Sequence, residues 1–383
     1  MTNTGSIIIT GGGTAGHTNP GIAIAQALVR AGVPVEDVHF VGGERGNEGT
    51  LVPAAGFSID LLPGRGIQRK LTLQNLTSVS ALLRGLWEAR RIVAKRQPAV
   101  VVCLGGYAAA GTSLAAVIAR IPVVVSEQNA RASAVNRLIG RFAKVCTLPY
   151  PDTDLPNGVL IGNPILTSVT ETMRNTERDA ARRALGLPVD RCVVAVWSGS
   201  LGARRVNDAA RGLASLWADR GDVALYHVVG RRDWDDFCDH PPALAEAALS
   251  YNTVEYEDRM PLLLAAADIA VCRAGASTTA ELAVAGLPSI LVPLPGAPRD
   301  HQTANSDELV SVGGAIRVAD AELDTTRLDQ ILQPLLAQPD QLATMANAAA
   351  SVGRPDAGDA AAAIVIDVGG ISTLGTGSMN GRG

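Results

Sequence analysis

Several short stretches of this 383-residue chain carry residue types that can hold a sugar or phosphate, or move a proton. In Val271-Cys-Arg-Ala-Gly-Ala-Ser-Thr-Thr-Ala-Glu281 an apolar run leads into Ala276, Ser277, Thr278, Thr279 and Glu281, and Gly286 and Pro288 follow. Ile269–Cys272 has the length and composition of a buried strand. Thr278 and Glu281 have the S/T-x-x-E spacing of a capping box, which predicts a helix start. The N–H groups of such a start attract hydroxyls and anions. Glu281 is therefore read either as a cap or as a ligand carboxylate.

Gly11-Gly-Gly-Thr14-Ala15-Gly16 precedes His17. It lacks the Lys-Ser/Thr of a P-loop and fits the dinucleotide fingerprint poorly. His17 stands at a predicted helix N-terminus, where the dipole disfavours imidazolium. A neutral ring there can accept a proton from an attacking hydroxyl; a polar turn residue fits equally well. Ser198-Gly-Ser200-Leu-Gly202, followed by Arg204 and Arg205, suits a diphosphate at a helix start, or is a plain strand–helix connector. Ser126-Glu-Gln-Asn129 reads as an Asx-type turn, with Asn129 the member best placed to meet a ligand. Gln302 and Asn305 lie one helical turn apart and could face sugar hydroxyls together, or head a solvated helix. Asp233-Trp-Asp-Asp236 has the D-x-D spacing some sugar transferases use for a metal, but reads as a solvated helix face. With no H-E-x-x-H, Cys/His cluster or nucleophile elbow, no metal is expected.

These stretches follow apolar runs, and strands alternate with helices along the chain. That order predicts right-handed βαβ units and parallel sheets covered on both faces. The pattern starts at Ser6–Thr10 and restarts at Val193–Trp197, after turns at Asp152–Gly158 and Gly162-Asn-Pro164. The reading is α/β, with a first domain over 1–164, a second over 165–368 and a disordered tail over 369–383. The last helices are allowed to pack back on the first domain. Open parallel sheets bind ligands beyond the carboxyl ends of their strands, where these loops fall.

Glycine, at 40 residues, and only 3% aromatic residues suit such a fold, and a formal charge of −4 argues against a nucleic-acid partner. Five cysteines without a C-x-x-C pair read as reduced thiols. No secretory signal is legible. Ala99–Ala119 is uncharged, yet its Gly105-Gly106 break predicts strand, turn and helix rather than a membrane span. Arg65, Arg69, Lys70, Arg84, Arg90, Arg91, Lys95 and Arg96 surround Leu82, Leu83, Leu86 and Trp87. Leu83, Leu86 and Trp87 share a helix face, which serves either the core or an anionic bilayer surface.

Taken in order, Gly12-Gly-Thr-Ala-Gly-His17, Gly105-Gly-Tyr107, Glu127-Gln-Asn129, Gly162-Asn-Pro164, Gly199-Ser-Leu-Gly-Ala203, Cys272-Arg-Ala-Gly-Ala276 to Glu281, and Asp300-His-Gln302 with Asn305 resemble the MurG family of peptidoglycan N-acetylglucosaminyltransferases. The resemblance implies a GT-B fold: two Rossmann-like, doubly wound domains facing across a cleft. It implies an inverting transfer of GlcNAc from UDP-GlcNAc to lipid I, with no cofactor, on the cytoplasmic face of the cell membrane. By the same resemblance Glu281 takes the ribose hydroxyls and Ser200 the diphosphate. Ala276, Ser277, Thr278 and Thr279 take the nucleotide sugar, and Gln302 and Asn305 the GlcNAc. Thr14, Ala15, Gly16 and Asn129 face the reacting groups, His17 is the candidate base, and Leu83, Leu86 and Trp87 dock on the membrane.

Two departures stand out. Ile165-Leu166 occupy the place where the family has an arginine after the G-N-P turn, so Arg204 or Arg205 is expected to substitute. Ala15 stands where glycine is frequent. The rival readings are another UDP-sugar GT-B transferase, a UDP-GlcNAc 2-epimerase, or a non-catalytic nucleotide-sugar-binding protein.

Overall fold

Continuous β-branched runs such as Ile7-Ile-Ile9, Val100-Val-Val102 and Val123-Val-Val125 suit strands buried on both faces. The computed structural model describes residues 5–12, 15–44, 46–63, 74–175, 177–242 and 248–373; for residues 15, 74–83 and 173–175 only the backbone is described. In it those runs become the centre of a sheet made of β1 (Ile7–Gly11), β2 (Val38–Gly43), β3 (Ser58–Leu62), β4 (Val100–Gly105), β5 (Val123–Ser126), β6 (Val145–Leu148) and β7 (Gly158–Leu160). The order is β3-β2-β1-β4-β5-β6-β7, and all neighbours pair in parallel. Alternate side chains feed two cores. Ile7, Ile9, Val100 and Val102 pack under the helices Ala15–Arg30 and Ala357–Gly369. Ile8, Val101, Cys103 and Val125 pack under Gln74–Arg96, Tyr107–Ile118 and Ala134–Gly140.

A second sheet repeats the plan with β8 (Cys192–Trp197), β9 (Val223–Val228), β10 (Ser250–Val254), β11 (Ile269–Cys272), β12 (Ser289–Leu291) and β13 (Ala315–Arg317). Its order is β10-β9-β8-β11-β12-β13, again parallel throughout. In each sheet the winding direction reverses beside the first strand, between β1 and β4 and between β8 and β11. These are the topological switch points at which doubly wound sheets bind ligands.

The chain divides into residues up to Leu166 together with Pro355 onward, and residues Thr167–Arg354. The helix Ala357–Gly369, counted with the second domain from sequence but allowed to pack back on the first, belongs with the first unit. Its Ala361, Ala362 and Val365 are buried in the core beside the helix Ala15–Arg30, and Arg30 pairs with Asp359 at 2.6 Å. An alanine-rich amphipathic helix does not declare in sequence which sheet it covers. Gly369 to Ile371 depart from the expected disordered tail: Gly370 ends the helix at φ 57°, and Ile371 is buried. Residues 374–383 lie outside the described residues.

The turn read at Asp152–Gly158 leads directly into β7, and β6, β7, β10 and β13 escaped the sequence reading, β10 because Ser250-Tyr-Asn-Thr-Val254 holds no apolar run. The uncharged stretch 99–119 forms β4 and the helix Tyr107–Ile118, broken by Gly105 and Gly106 at φ 94° and 84°. Among the described residues no helix is long and apolar enough to cross a membrane.

Removing residues from Pro355 onward strips the cover from the first core. Hydrogen–deuterium exchange is expected to rise across β1, β4 and the helix Ala15–Arg30 and to stay unchanged in β8–β13. Equal exchange in both units would contradict this packing.

Candidate active site

In the second unit the chemistry gathers at the switch point. After β8 the chain turns through Gly199 and Gly202, at φ 84° and 83°, and the Gly202 N–H bonds the Gly199 carbonyl at 3.1 Å. A Cβ on Gly202 would overlap the Val229 carbonyl, and one on Gly230 the Gly202 amide. The loops after β8 and β9 thus touch backbone to backbone, as only glycine allows. The Arg231 N–H closes the contact on the Ser200 carbonyl at 3.1 Å, leaving the Ser200 side chain exposed.

Asn207 locks this junction from below. Its Nδ2 donates to the Val229 carbonyl at 3.0 Å and to Asp233 at 3.1 Å, and its Oδ1 meets His227 Nε2 at 3.0 Å. Burial lowers the His227 pKa to about 3, so the ring is neutral. With Asn207 Oδ1 an acceptor, Nε2 carries the proton and Nδ1 accepts from the Tyr251 hydroxyl at 2.8 Å. Asp233 is 5% exposed and also accepts from Arg232 Nε at 2.8 Å. The solvated-face reading of Asp233 is therefore corrected: its carboxylate is a buried brace of the loop.

After β11, the helix Ala276–Ala285 starts from Gly275 without a side-chain cap. The expected capping box is displaced: Thr278 already lies in the first turn, so Glu281 is not its reciprocal partner. Thr279 is buried and its hydroxyl donates back to the carbonyls of Gly275 and Ala276. Ser277 differs, since its buried Oγ has no hydrogen-bond partner among the described residues. Glu281 is partly buried, and none of the hydrogen bonds among the described residues reaches its carboxylate. Burial alone pushes its pKa up to about 7.

The neighbouring loops hold this turn in place. Asn305, fully buried, donates from Nδ2 to the Ala274 carbonyl at 3.2 Å. Arg273 reaches the carbonyls of Val292 and Pro293 at 3.1 Å and Asp320 at 2.7 Å. Gln302 Oε1 accepts from the Leu294 N–H at 2.9 Å. Gln302 and Asn305 therefore do not present one open face, as their spacing suggested; Asn305 stands behind the loop and Gln302 beside it. Arg299 and Asp300 ahead of them adopt φ 56° and 52°, a left-handed pair that costs about 1–2 kcal/mol per residue. Of the two arginines expected to replace the missing one, Arg205 pairs with Asp320 at 3.3 Å. Arg204 is exposed and forms no ion pair among the described residues. Ile165 and Leu166 are apolar because they turn inward; Ile165 is buried and Leu166 packs on the first core.

The first unit carries the remaining candidates. Thr14 lies outside the described residues, and Ala15 opens the helix that carries exposed Gly16 and partly buried His17 in its first turn. After β5, Glu127 is 1% exposed and organises its loop. Its Oε1 accepts from the N–H groups of Gln128 and Asn129 at 3.0 Å and its Oε2 from Ser133 N–H at 2.9 Å and Asn136 Nδ2 at 2.8 Å. Asn129 is partly buried beside it, its Nδ2 3.4 Å from Oε1. Sequence reasoning had the turn but not its hub; a Glu followed by Ser133 and Asn136 on a helix start was the available signal.

The Leu83 side chain lies outside the described residues. Leu86 is partly buried, and Trp87 is 58% exposed with Arg91 stacked 4.5 Å from its ring centre. Leu114, Ile118, Leu138 and Phe142 are exposed as well, the first three on the helices Tyr107–Ile118 and Ala134–Gly140 that cover the same face of the first sheet and Phe142 in the turn just after the second. Sequence reading missed these four because each stands among alanines or charges. Among the described residues no group of three or more His, Cys, Asp or Glu could hold a metal.

Residues 7–147 match the glycosyltransferase family 28 N-terminal domain, and residues 193–360 the glycosyltransferase family 28 C-terminal domain. The UDP-N-acetylglucosamine–N-acetylmuramyl-(pentapeptide) pyrophosphoryl-undecaprenol N-acetylglucosamine transferase of Salinibacter ruber is 38% identical over 367 residues, 94% of this chain and 96% of the relative. The crystal structure of Acinetobacter baumannii MurG superposes with a TM-score of 0.76 at 25% identity, over 95% of this chain and 99% of that one. A UDP-GlcNAc 2-epimerase from Neisseria meningitidis shares the fold at TM-score 0.64 and 14% identity, over 94% of this chain and 99% of that one. With both domain models matched in order and a relative this similar over nearly its whole length, the chain belongs to glycosyltransferase family 28 and, within it, to the MurG family.

Proposed function

We propose that this chain moves GlcNAc from UDP-GlcNAc to the muramyl C4 hydroxyl of undecaprenyl-diphosphate-linked MurNAc-pentapeptide, converting lipid I to lipid II in peptidoglycan synthesis. Beyond the family, one observation carries the donor assignment: Glu281, a carboxylate without a hydrogen-bond partner among the described residues, beside a helix start at a switch point. Two ribose hydroxyls supply the donors such a carboxylate lacks. The N–H groups of Ala276, Ser277 and Thr278, which have no backbone partner among the described residues, suit the nucleotide sugar together with the Ser277 hydroxyl. Thr279, whose hydroxyl is committed to the helix, contributes through its backbone position. Ser200 and its glycine turn receive the diphosphate, with Arg204 the candidate for the missing cation, since Arg205 is paired with Asp320. Gln302 retains its Nε2 for a GlcNAc hydroxyl, and Asn305 supports that subsite through Ala274.

The reaction is a single displacement with inversion. The acceptor oxygen forms a bond to C1 of GlcNAc as the bond from C1 to the diphosphate oxygen breaks. The hydroxyl proton passes to His17, and the electron pair leaves with UDP into the Ser200 loop. Thr14, Ala15, Gly16 and Asn129 frame the acceptor. Positioning and stabilisation of the departing charge supply the acceleration, with no cofactor. The apolar and basic surface around Trp87, extended by Leu114, Ile118, Leu138 and Phe142, seats the enzyme peripherally on the cytoplasmic face of the cell membrane, where lipid I resides. In that place the reaction serves cell-wall growth, shape and division.

Labelled UDP-GlcNAc with and without a lipid I analogue tests the activity: disaccharide product and UDP are expected only with acceptor. An epimerase would change UDP-GlcNAc without acceptor, and a binding protein would leave it intact. His17→Ala should lower turnover about 10²–10⁴-fold with UDP-GlcNAc affinity retained; lost affinity with unchanged turnover would rule out the base.

Glu281 generates a pH signature. Below its pKa of about 7 the free protein holds the carboxyl protonated, while the ribose hydroxyls favour the carboxylate. Donor affinity therefore rises with pH up to about neutrality, and binding at pH 6 releases a proton, measurable by calorimetry in buffers of different ionisation enthalpy. Glu281→Gln should abolish the release and weaken binding by about 1.5–3 kcal/mol. Unaltered proton release in that variant would remove Glu281 from the donor site. For the membrane face, replacing Trp87, Ile118 and Phe142 together by Ala should reduce binding to anionic vesicles more than ten-fold, each buried large side chain contributing roughly 1.5–3 kcal/mol. Unchanged vesicle sedimentation would relocate the docking surface.

A further inference from the structure

The helix Glu48–Ala54 is only two turns long, yet its first residue is buried: Glu48 is 3% exposed. Placing a carboxylate there costs free energy unless donors surround it, and a short surface helix needs no such group. The Glu48 side chain instead leans away from its own helix into a pocket walled by glycines. Its Oε1 accepts from the Gly43 N–H at 2.9 Å. A Cβ on Gly12 or on Gly46 would overlap the carboxylate, and one on Gly42 would meet its Cγ at 2.5 Å. The chain leaves out side chains at each of these positions so that the carboxylate can lie against bare backbone.

Gly12 is gripped from the other side too. A Cβ on Gly106, itself at φ 84°, would come within 2.6 Å of the Gly12 carbonyl. Gly12 therefore lies between the Glu48 carboxylate, from the segment after β2, and the backbone of the loop after β4. The three loops leave adjacent strands, β2, β1 and β4, and meet at the residue that leads into Ala15, Gly16 and His17.

We propose that Glu48 is a positioning residue for the transfer: its carboxylate fixes the path of the chain at Gly12 and so sets where Gly16 and His17 stand relative to the acceptor. The inference rests on the transferase reading above. Glu48 itself touches neither substrate. Its effect falls on turnover, because it acts in the first unit, while the proposed donor contacts belong to the second.

The test uses the full chain with UDP-GlcNAc and a lipid I analogue. Competent protein is counted by calorimetric titration with UDP-GlcNAc, so a misfolded fraction drops out of the comparison. In E48A, turnover per donor-binding site should fall at least about ten-fold while the Kd for UDP-GlcNAc stays within about two-fold, the signature of a displaced acceptor loop. E48Q keeps an oxygen for the Gly43 N–H and should recover part of the loss. If E48A does not fold, E48Q and G12A carry the test, since the new methyl of G12A meets the same carboxylate and should also lower turnover per site. Wild-type turnover in the variants that fold, or donor affinity falling in step with turnover, overturns the proposal. No product from the unsubstituted chain would instead sink the transferase reading on its own.

Discussion

Two-sided burial of parallel strands is the constraint from which the remaining architecture follows. Ile7, Ile8 and Ile9 are each fully buried, with odd and even side chains sunk into different helix layers. A strand used up in this way has no exposed face on which to mount chemistry. Polar groups can reach solvent only where the strand ends, and the winding reversal opens such a place beside β1 and beside β8. Both glycine loops and the Glu281 helix start are found there. The segregation of an apolar interior from reactive strand ends is a result of packing before it is a result of function.

Close backbone approach is the second requirement, because several loops converge on each switch point. Gly202 against Gly230 and Gly12 against Gly106 solve it alike, by omitting a Cβ where two chains cross. Buried polar side chains then fasten what glycine alone would leave loose. Asn207 and Asp233 brace the loop after β8, Asn305 and Arg273 the loop after β11, and Glu127 the loop after β5. Each is a polar group drawn into the fold and hydrogen-bonded to backbone or side chains of a neighbouring loop, which rigidifies the site.

This division of labour separates two kinds of polar residue that look alike in the sequence. Asn305 and Glu127 are buried and tied to backbone or neighbouring side chains. Glu281 and Ser277 are drawn inward yet remain without hydrogen-bond partners among the described residues. A desolvated carboxylate with a pKa near neutrality is held at a cost that a ligand can remove.

The sequence by itself determined the α/β class, the restart of the pattern near Val193 and the position of the loops after β1, β5, β8, β11 and β12, each behind an apolar run. Those properties reside in local periodicity and in glycine spacing, which a linear reading captures. It also carried the family resemblance, since that depends on the order of short motifs. Tertiary structure alone decided which members of those motifs are tied into neighbouring loops and which keep polar atoms without partners among the described residues. Thr278 and Glu281 have capping-box spacing, but the helix starts at Gly275, and none of the hydrogen bonds among the described residues reaches the Glu281 carboxylate. Gln302 and Asn305 are one turn apart, yet only the depth of the helix in its unit shows that Asn305 is buried. The membership of the helix Ala357–Gly369 in the first unit, and the enclosure of Glu48 by glycines at 12, 42, 43 and 46, depend on contacts between residues far apart in the chain. Such contacts arise from three-dimensional packing, and no local pattern of residue types encodes them.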